Sequence, residues 1–214
     1  MAISLYSGTA DWHDGVCVTW LGRLTINIRL PALSQRAVAL VGVWCAGSTK
    51  RALTVTFAGR SASMIVESWV NGHGVALFSL TDPPAGEQEV IVQADNPSNT
   101  SLIFGAVALL GVSADTVLGA STTASGAAKS QTDVGLPVAG VDDVVVLIAG
   151  SGDTVTISDA RLSQIDADKH NRDSNRTVLG MISGTDAASG PVTIVAGTRP
   201  MVAAAVTISG QASI

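Results

Sequence analysis

Apolar and polar residues alternate with a period of two along much of this chain. In Leu24-Thr25-Ile26-Asn27-Ile28-Arg29-Leu30 the four aliphatic residues fall on one face, and Thr25, Asn27 and Arg29 fall on the other. Leu53-Thr54-Val55-Thr56-Phe57 and Thr154-Val155-Thr156-Ile157 repeat the device. Such alternation marks strands buried on one side. Further strands are read at 16–20, 75–80, 89–94, 176–182, 192–195 and 202–208.

Three runs are apolar on both faces: Ala37–Ala46, 102–110 and 144–149. A strand with one wet face would alternate, so these predict central strands whose outer face is also covered, by a loop, a neighbouring subunit or a larger particle. The run 102–110 reads as strand rather than helix, because Asn96-Pro97-Ser98-Asn99 before it and Gly111 after it are turn chemistry. Turn signals recur at Asn71-Gly72-His73-Gly74, Asp82-Pro83-Pro84-Ala85-Gly86, Gly150-Ser151-Gly152-Asp153 and Ser189-Gly190-Pro191. Only 159–168 has helical character. About a dozen short strands so spaced predict an all-β sandwich or barrel. The Gly/Ser/Thr/Ala-rich stretch 119–131 reads as a long surface connection inside one domain spanning 1–214, since Greek-key folds need long crossovers. No repeat of fixed period is evident.

Composition adds an anomaly. Charged residues make up 14% of the 214, and mean hydropathy is +0.41. A typical soluble domain carries about 25% charged residues. Either the outer faces are rich in Ser, Thr and Gly, or partners cover part of them. The net charge of -5 and the scattered basic residues point away from nucleic acid. No apolar run approaches the roughly twenty residues of a membrane helix. The start, Met1-Ala2-Ile3-Ser4-Leu5-Tyr6, lacks the basic and apolar regions of a signal peptide. Cys17 and Cys45 are too few for a disulfide scaffold. They could pair in an oxidising setting, but without an export signal the reading is two buried thiols.

Candidate chemistry is sparse. Asp166-Ala167-Asp168-Lys169-His170, followed by Asp173 and Asn175, spaces oxygen ligands by two, as a hard cation needs, but lacks the central Gly and terminal Glu of an EF-hand loop. A solvated loop is the plainer reading, so no metal is assigned. Asp11-Trp12-His13-Asp14 offers an imidazole beside an aromatic, with no partner or cleft evident. Trp69 and His73 flank a glycine turn, where an exposed indole would stack on a sugar ring. No nucleophile elbow, phosphate loop or zinc helix motif is present. The expectation is a chain with no catalytic residue and no cofactor.

One block is more specific. Leu53–Phe57 leads through Ala58-Gly59-Arg60 to Val75-Ala76-Leu77-Phe78-Ser79-Leu80, then to Asp82-Pro83-Pro84-Ala85-Gly86-Glu87-Gln88-Glu89-Val90-Ile91-Val92, and closes with Ile103-Phe104-Gly105-Ala106-Val107-Ala108-Leu109-Leu110-Gly111-Val112. Over roughly 37–116 this succession resembles jelly-roll structural proteins of tailed bacteriophages, of the head decoration, collar and minor tail type. The matching positions are folding positions, so no functional residue carries over. The resemblance implies a two-sheet antiparallel jelly-roll β-sandwich and a non-enzymatic structural role. It also implies other virion proteins (capsid, neck or tail) as partners, a homo-oligomer such as a trimer, and synthesis in the host cytoplasm before docking on the virion. Nucleic acid and membrane are not expected as partners. The alternative is a carbohydrate- or receptor-binding β-sandwich module.

Overall fold

The computed structural model describes residues 3–5, 11–17, 23–30, 36–96, 100–125, 131–157, 159–169, 176–188, 190–197 and 199–210. The first half runs β1 (Ser4–Leu5), β2 (Asp11–Cys17), β3 (Arg23–Leu30), β4 (Ala37–Ala46), β5 (Leu53–Phe57), β6 (Arg60–Ser61), β7 (Ser63–Val70), β8 (His73–Thr81), β9 (Gly86–Ala94) and β10 (Thr100–Leu110). The second half runs β11 (Val112–Ser125), β12 (Gln131–Val134), β13 (Val144–Ser151), β14 (Val155–Ile157), β15 (Ser163–Lys169) and β16 (Arg176–Ser183). The short helix α1 (Gly184–Ala187), β17 (Val192–Ala196) and β18 (Met201–Gly210) complete it. All strand pairs are antiparallel.

The described strands form four sheets, where the sequence predicted two. Order β10-β4-β8-β7, extended by β1 and β2 on β10, makes one inner sheet, and β11-β18-β13-β16-β15 makes the other. The outer sheets are β3-β9-β5-β6 and β12-β17-β14. Exchanging β2, β3, β4, β5, β7, β8, β9 and β10 for β11, β12, β13, β14, β15, β16, β17 and β18 turns the first half's order into the second's. The chain therefore contains one strand plan twice. Connections differ in length between the halves, which is why no fixed period shows in the sequence.

Three buried clusters separate the four layers. Strand β4 sends Ala39, Val41, Val43 and Cys45 toward its own outer sheet, and Val38, Leu40 and Trp44 toward the other half. Strand β10 divides likewise, with Phe104 and Ala106 on one side and Ile103 and Val107 on the other. Strand β13 places Val146 and Ile148 in the middle cluster and Val145 and Leu147 in the outermost one. The two-faced apolar runs are thus central strands, as predicted. Their second face is covered by the other half of the same chain, so they give no ground for a subunit contact. Strand β3 alternates as read: Ile26, Ile28 and Leu30 are buried, and Thr25, Asn27 and Arg29 are exposed.

Two readings change. Residues 163–168 of the segment given helical character belong to edge strand β15, because pairing with β16 overrides a weak local preference. Residues 119–125, read as connection, continue β11 alongside β18 with register shifts near Val117. Small residues suit this edge: Ala120–Ala124 lie opposite Val206–Val202 of β18.

At the seam between the inner sheets, equivalent positions meet. The bond from Asp82 N to Ala37 O in the first half recurs as Gly184 N to Asp143 O in the second, both at 2.9 Å. That register makes Gly42 the counterpart of Ile148 and Trp44 the counterpart of Gly150. A Cβ on Gly42 would lie 3.0 Å from Ile148 Cδ1, and one on Gly150 would lie 2.0 Å from Trp44 Cδ1. Each large side chain fills the space that its glycine counterpart leaves. Next to this pair, His73 lies 6.2 Å from the Trp44 ring, centroid to centroid. Trp44 Nε1 and His73 Nδ1 are buried without a hydrogen-bond partner among the described residues. Burial, and after it the Arg199 guanidinium, hold the His73 imidazole below its ordinary range.

Two outcomes follow. Gly150→Ala is expected to cost about 2 kcal/mol by overpacking the seam. In urea titrations its effect should be less than additive with Trp44→Phe, which shrinks the group it strikes. Full additivity would show that the two side chains are not in contact. The second outcome concerns pH. The fold favours neutral His73, so its contribution is complete above the unfolded value of about 6.5 and is lost as pH falls below that toward the lowered folded value. Denaturation midpoints should therefore drop more steeply below pH 6.5 for the wild type than for His73→Gln. Parallel curves would place His73 in solvent.

Candidate functional site

The most exposed large apolar side chains of the described residues sit together on one corner of the second half. Val138 is 92% exposed and Val141 77%. Both lie in the connection 135–143 between β12 and β13. The chain is held here without regular structure by bonds at its base. Ser121 Oγ donates to Gly135 O, and Thr207 Oγ1 donates to Val138 O at 2.9 Å. Asp143 is the anchor. Its carboxylate accepts from Gly140 N at 2.6 Å and from Gly210 N at 3.1 Å. With the polar groups turned inward, the valines are left pointing outward.

Beside this ridge runs a groove of about 380 Å³, walled by residues 135–139 on one side and by Ala187, Ala188, Gly190 and Pro191 on the other. The far wall is fixed by Arg161, which donates to the carbonyls of Asp186, Gly190 and Pro191 at 3.3, 3.2 and 2.9 Å. Asp159 orients the guanidinium through paired bonds, 2.9 Å from Nε and 2.5 Å from an Nη. The bond from Arg161 holds the Asp159 carboxyl below its usual range, and Asp159 in turn raises Arg161. At the head of α1, Ser183 accepts from Asp186 N and donates to its carboxylate at 2.6 Å. Among the described residues the groove lining carries no acidic, basic, hydroxyl or thiol side chain. Those residues offer shape and apolar contact.

The sequence candidates lie elsewhere. The Trp69 ring rests on Gly74 and its N–H donates to Glu67 at 2.8 Å, with Lys50 paired to the same carboxylate. One ring face and the polar edge are therefore engaged within the fold. His73 belongs to the seam. The backbone of Asp11–Cys17 is strand β2, and that of Asp166 and Asp168 lies in edge strand β15; the side chains of these segments lie outside the described set, as do His170, Asp173 and Asn175. Among the described residues no group of three or more His, Cys, Asp or Glu could hold a metal. No helix among them is long and apolar enough to cross a membrane. Cys45 is buried. Strand β10 runs between the strands of Cys17 and Cys45. At about 4.8 Å per strand spacing their backbones stand about 10 Å apart, beyond disulfide reach. Nothing in the sequence marked the groove, because Leu136-Pro137-Val138-Ala139-Gly140-Val141 has no period and no chemical motif.

Comparison with known proteins adds little. No family model matches the chain, and no curated protein matches it. Among solved structures, an anti-sigma factor domain-containing protein from Clostridium clariflavum is similar at 10% identity over 97% of this chain and 90% of that one, with a TM-score of 0.25. A likeness at that score carries no argument about fold or role.

Proposed function

We propose that this chain is a non-enzymatic structural component of a tailed-phage virion, made of two jelly-rolls and docking on head, neck or tail through the 136–141 ridge. Each half wraps alternately between a larger and a smaller antiparallel sheet, the plan of a jelly-roll, which viral capsid and lectin domains use. The 37–116 block that resembles phage structural proteins spans β4 to β10 of the first half.

The observation that carries the docking reading is the ridge itself. Two valines are held outward on a connection pinned by side chains from β11 and β18. A rigid apolar protrusion gains nothing in water and gains on burial against a partner. Its lining suits contact rather than chemistry. Of the two indoles on which a sugar-binding role would rest, Trp69 is engaged with Gly74 and Glu67, and the side chain of Trp12 lies outside the described residues.

Phage particles purified on a density gradient from the strain that carries the gene are expected to contain the chain. Its absence from intact particles would sink the virion reading. In a binding titration against particles depleted of the chain, Val138→Asp should weaken attachment by about tenfold or more, since one buried valine contributes roughly 1.5 kcal/mol. The variant's thermal midpoint should match wild type, because position 138 is solvent-exposed. Unchanged attachment would place the docking surface elsewhere.

A further inference from the structure

The seam carries information about partners. In an isologous contact between identical units, positions near the symmetry axis meet their own copies. Here Trp44 meets Gly150 and Gly42 meets Ile148, each pair being counterparts in the repeated strand plan. A first half placed on another first half would set Trp44 against Trp44 and leave a void at Gly42. A second half on another second half would leave a void at Gly150. The large-and-small pairing therefore accepts one arrangement, first half on second half, and resists both like-with-like ones.

The halves are joined by one residue. Strand β10 ends at Leu110 and β11 begins at Val112. Between them Gly111 turns the chain from one inner sheet to the other at φ +78, with its N–H donating to Arg36 O at 3.0 Å. A connection this short permits little adjustment when it closes, and short hinges of this kind favour exchange between chains. If Gly111 extends, β10 and β11 run on as one strand and the second half leaves the first. The exposed seam then fits the opposite half of another copy as it fits that of its own chain.

We propose that a second copy of this chain is a partner through that seam. The two chains exchange second halves about Gly111, and each first half packs on the other chain's second half. The contact surface is the one already described, so no new complementarity is required. The inference stands whether or not the chain belongs to a virion.

The test uses two full-length variants, each wrong on its own. Gly150→Trp sets two indoles against each other within one chain, and Trp44→Gly leaves a hole there. Refolded together at equal concentration, they should give a species of two chains by light scattering. It should unfold at higher urea than either variant refolded alone, because exchange restores an indole on a glycine at both seams. A mixture that behaves as the sum of its parts would overturn the proposal, including when each variant alone is insoluble and mixing fails to recover it. A second readout addresses the hinge. A β-branched residue is strained at positive φ, so Gly111→Val should raise the dimer share of refolded protein by roughly tenfold, whereas Gly111→Asn, which tolerates that region, should resemble wild type. The dimer should persist for hours on dilution, since it separates only by opening a half. A folded Gly111→Val that stays monomeric, or a dimer that dissociates within minutes, would refute exchange.

Discussion

The face-to-face packing of the two inner sheets is the contact on which the rest of the molecule depends. Without it, Val38, Leu40, Trp44, Val75, Leu77, Ile103, Val107 and Leu109 would form one continuous apolar face on the first half. Val144, Val146, Ile148, Val202 and Ala204 would do the same on the second. Faces of that size are not left open by soluble monomers. Each outer sheet covers only one side of its inner neighbour, so neither half completes its own burial. Four stacked layers also explain the composition. Two of the four sheets have no wet face over their central strands, and positions that would carry charge in a single sandwich carry Val, Ala and Ile instead. Low charge and high hydropathy follow from the stacking and do not require a partner.

The seam is also where the two copies of the strand plan differ most usefully. Beside this pair some equivalent positions hold similar residues, such as Val38 and Val144 or Leu77 and Leu179. At the centre of the seam, similarity would fail, because two indoles cannot share the space and two glycines cannot fill it. Complementary substitution is the packing solution, since interiors tolerate neither voids nor overlap. It leaves a residue of polar cost: the indole N–H of Trp44 and the Nδ1 of His73 are buried without partners among the described residues, and burial shifts the imidazole toward its neutral form.

Much of the fold was legible because strands announce themselves by period. The bounds of β4 and β5 follow directly from Ala37–Ala46 and Leu53–Phe57. Less legible were strands whose pattern is broken. β7 carries Ser63, Glu67 and Ser68 among its apolar residues and shifts register between Met64 and Val66. β11 is built of small residues at a sheet edge, where no apolar stripe is demanded. The layer count was illegible for a different reason. A two-faced run says that something covers the second face, but not whether that cover lies in the same chain, in another subunit or in a particle. The groove was hidden because it arises from two connections brought together only by pairing of β13 with β16 and β12 with β17.

Comparing the same corner in the two halves shows how the repeated frame is put to different use. In the first half the link from β8 to β9 starts with Asp82, whose carboxylate lies 3.7 Å from Arg36 and whose carbonyl accepts from Arg60 at 3.1 Å. Buried Pro83 follows, and Asp82 presents charge to solvent. In the second half the backbone bond at the corner is retained, but Asp143 turns its carboxylate inward to hold Gly140 and Gly210. The connection 135–143 then lifts Val138 and Val141 into solvent beside a groove. The frame supplies rigidity to both corners and the connections supply the difference, which is where binding surfaces are ordinarily found.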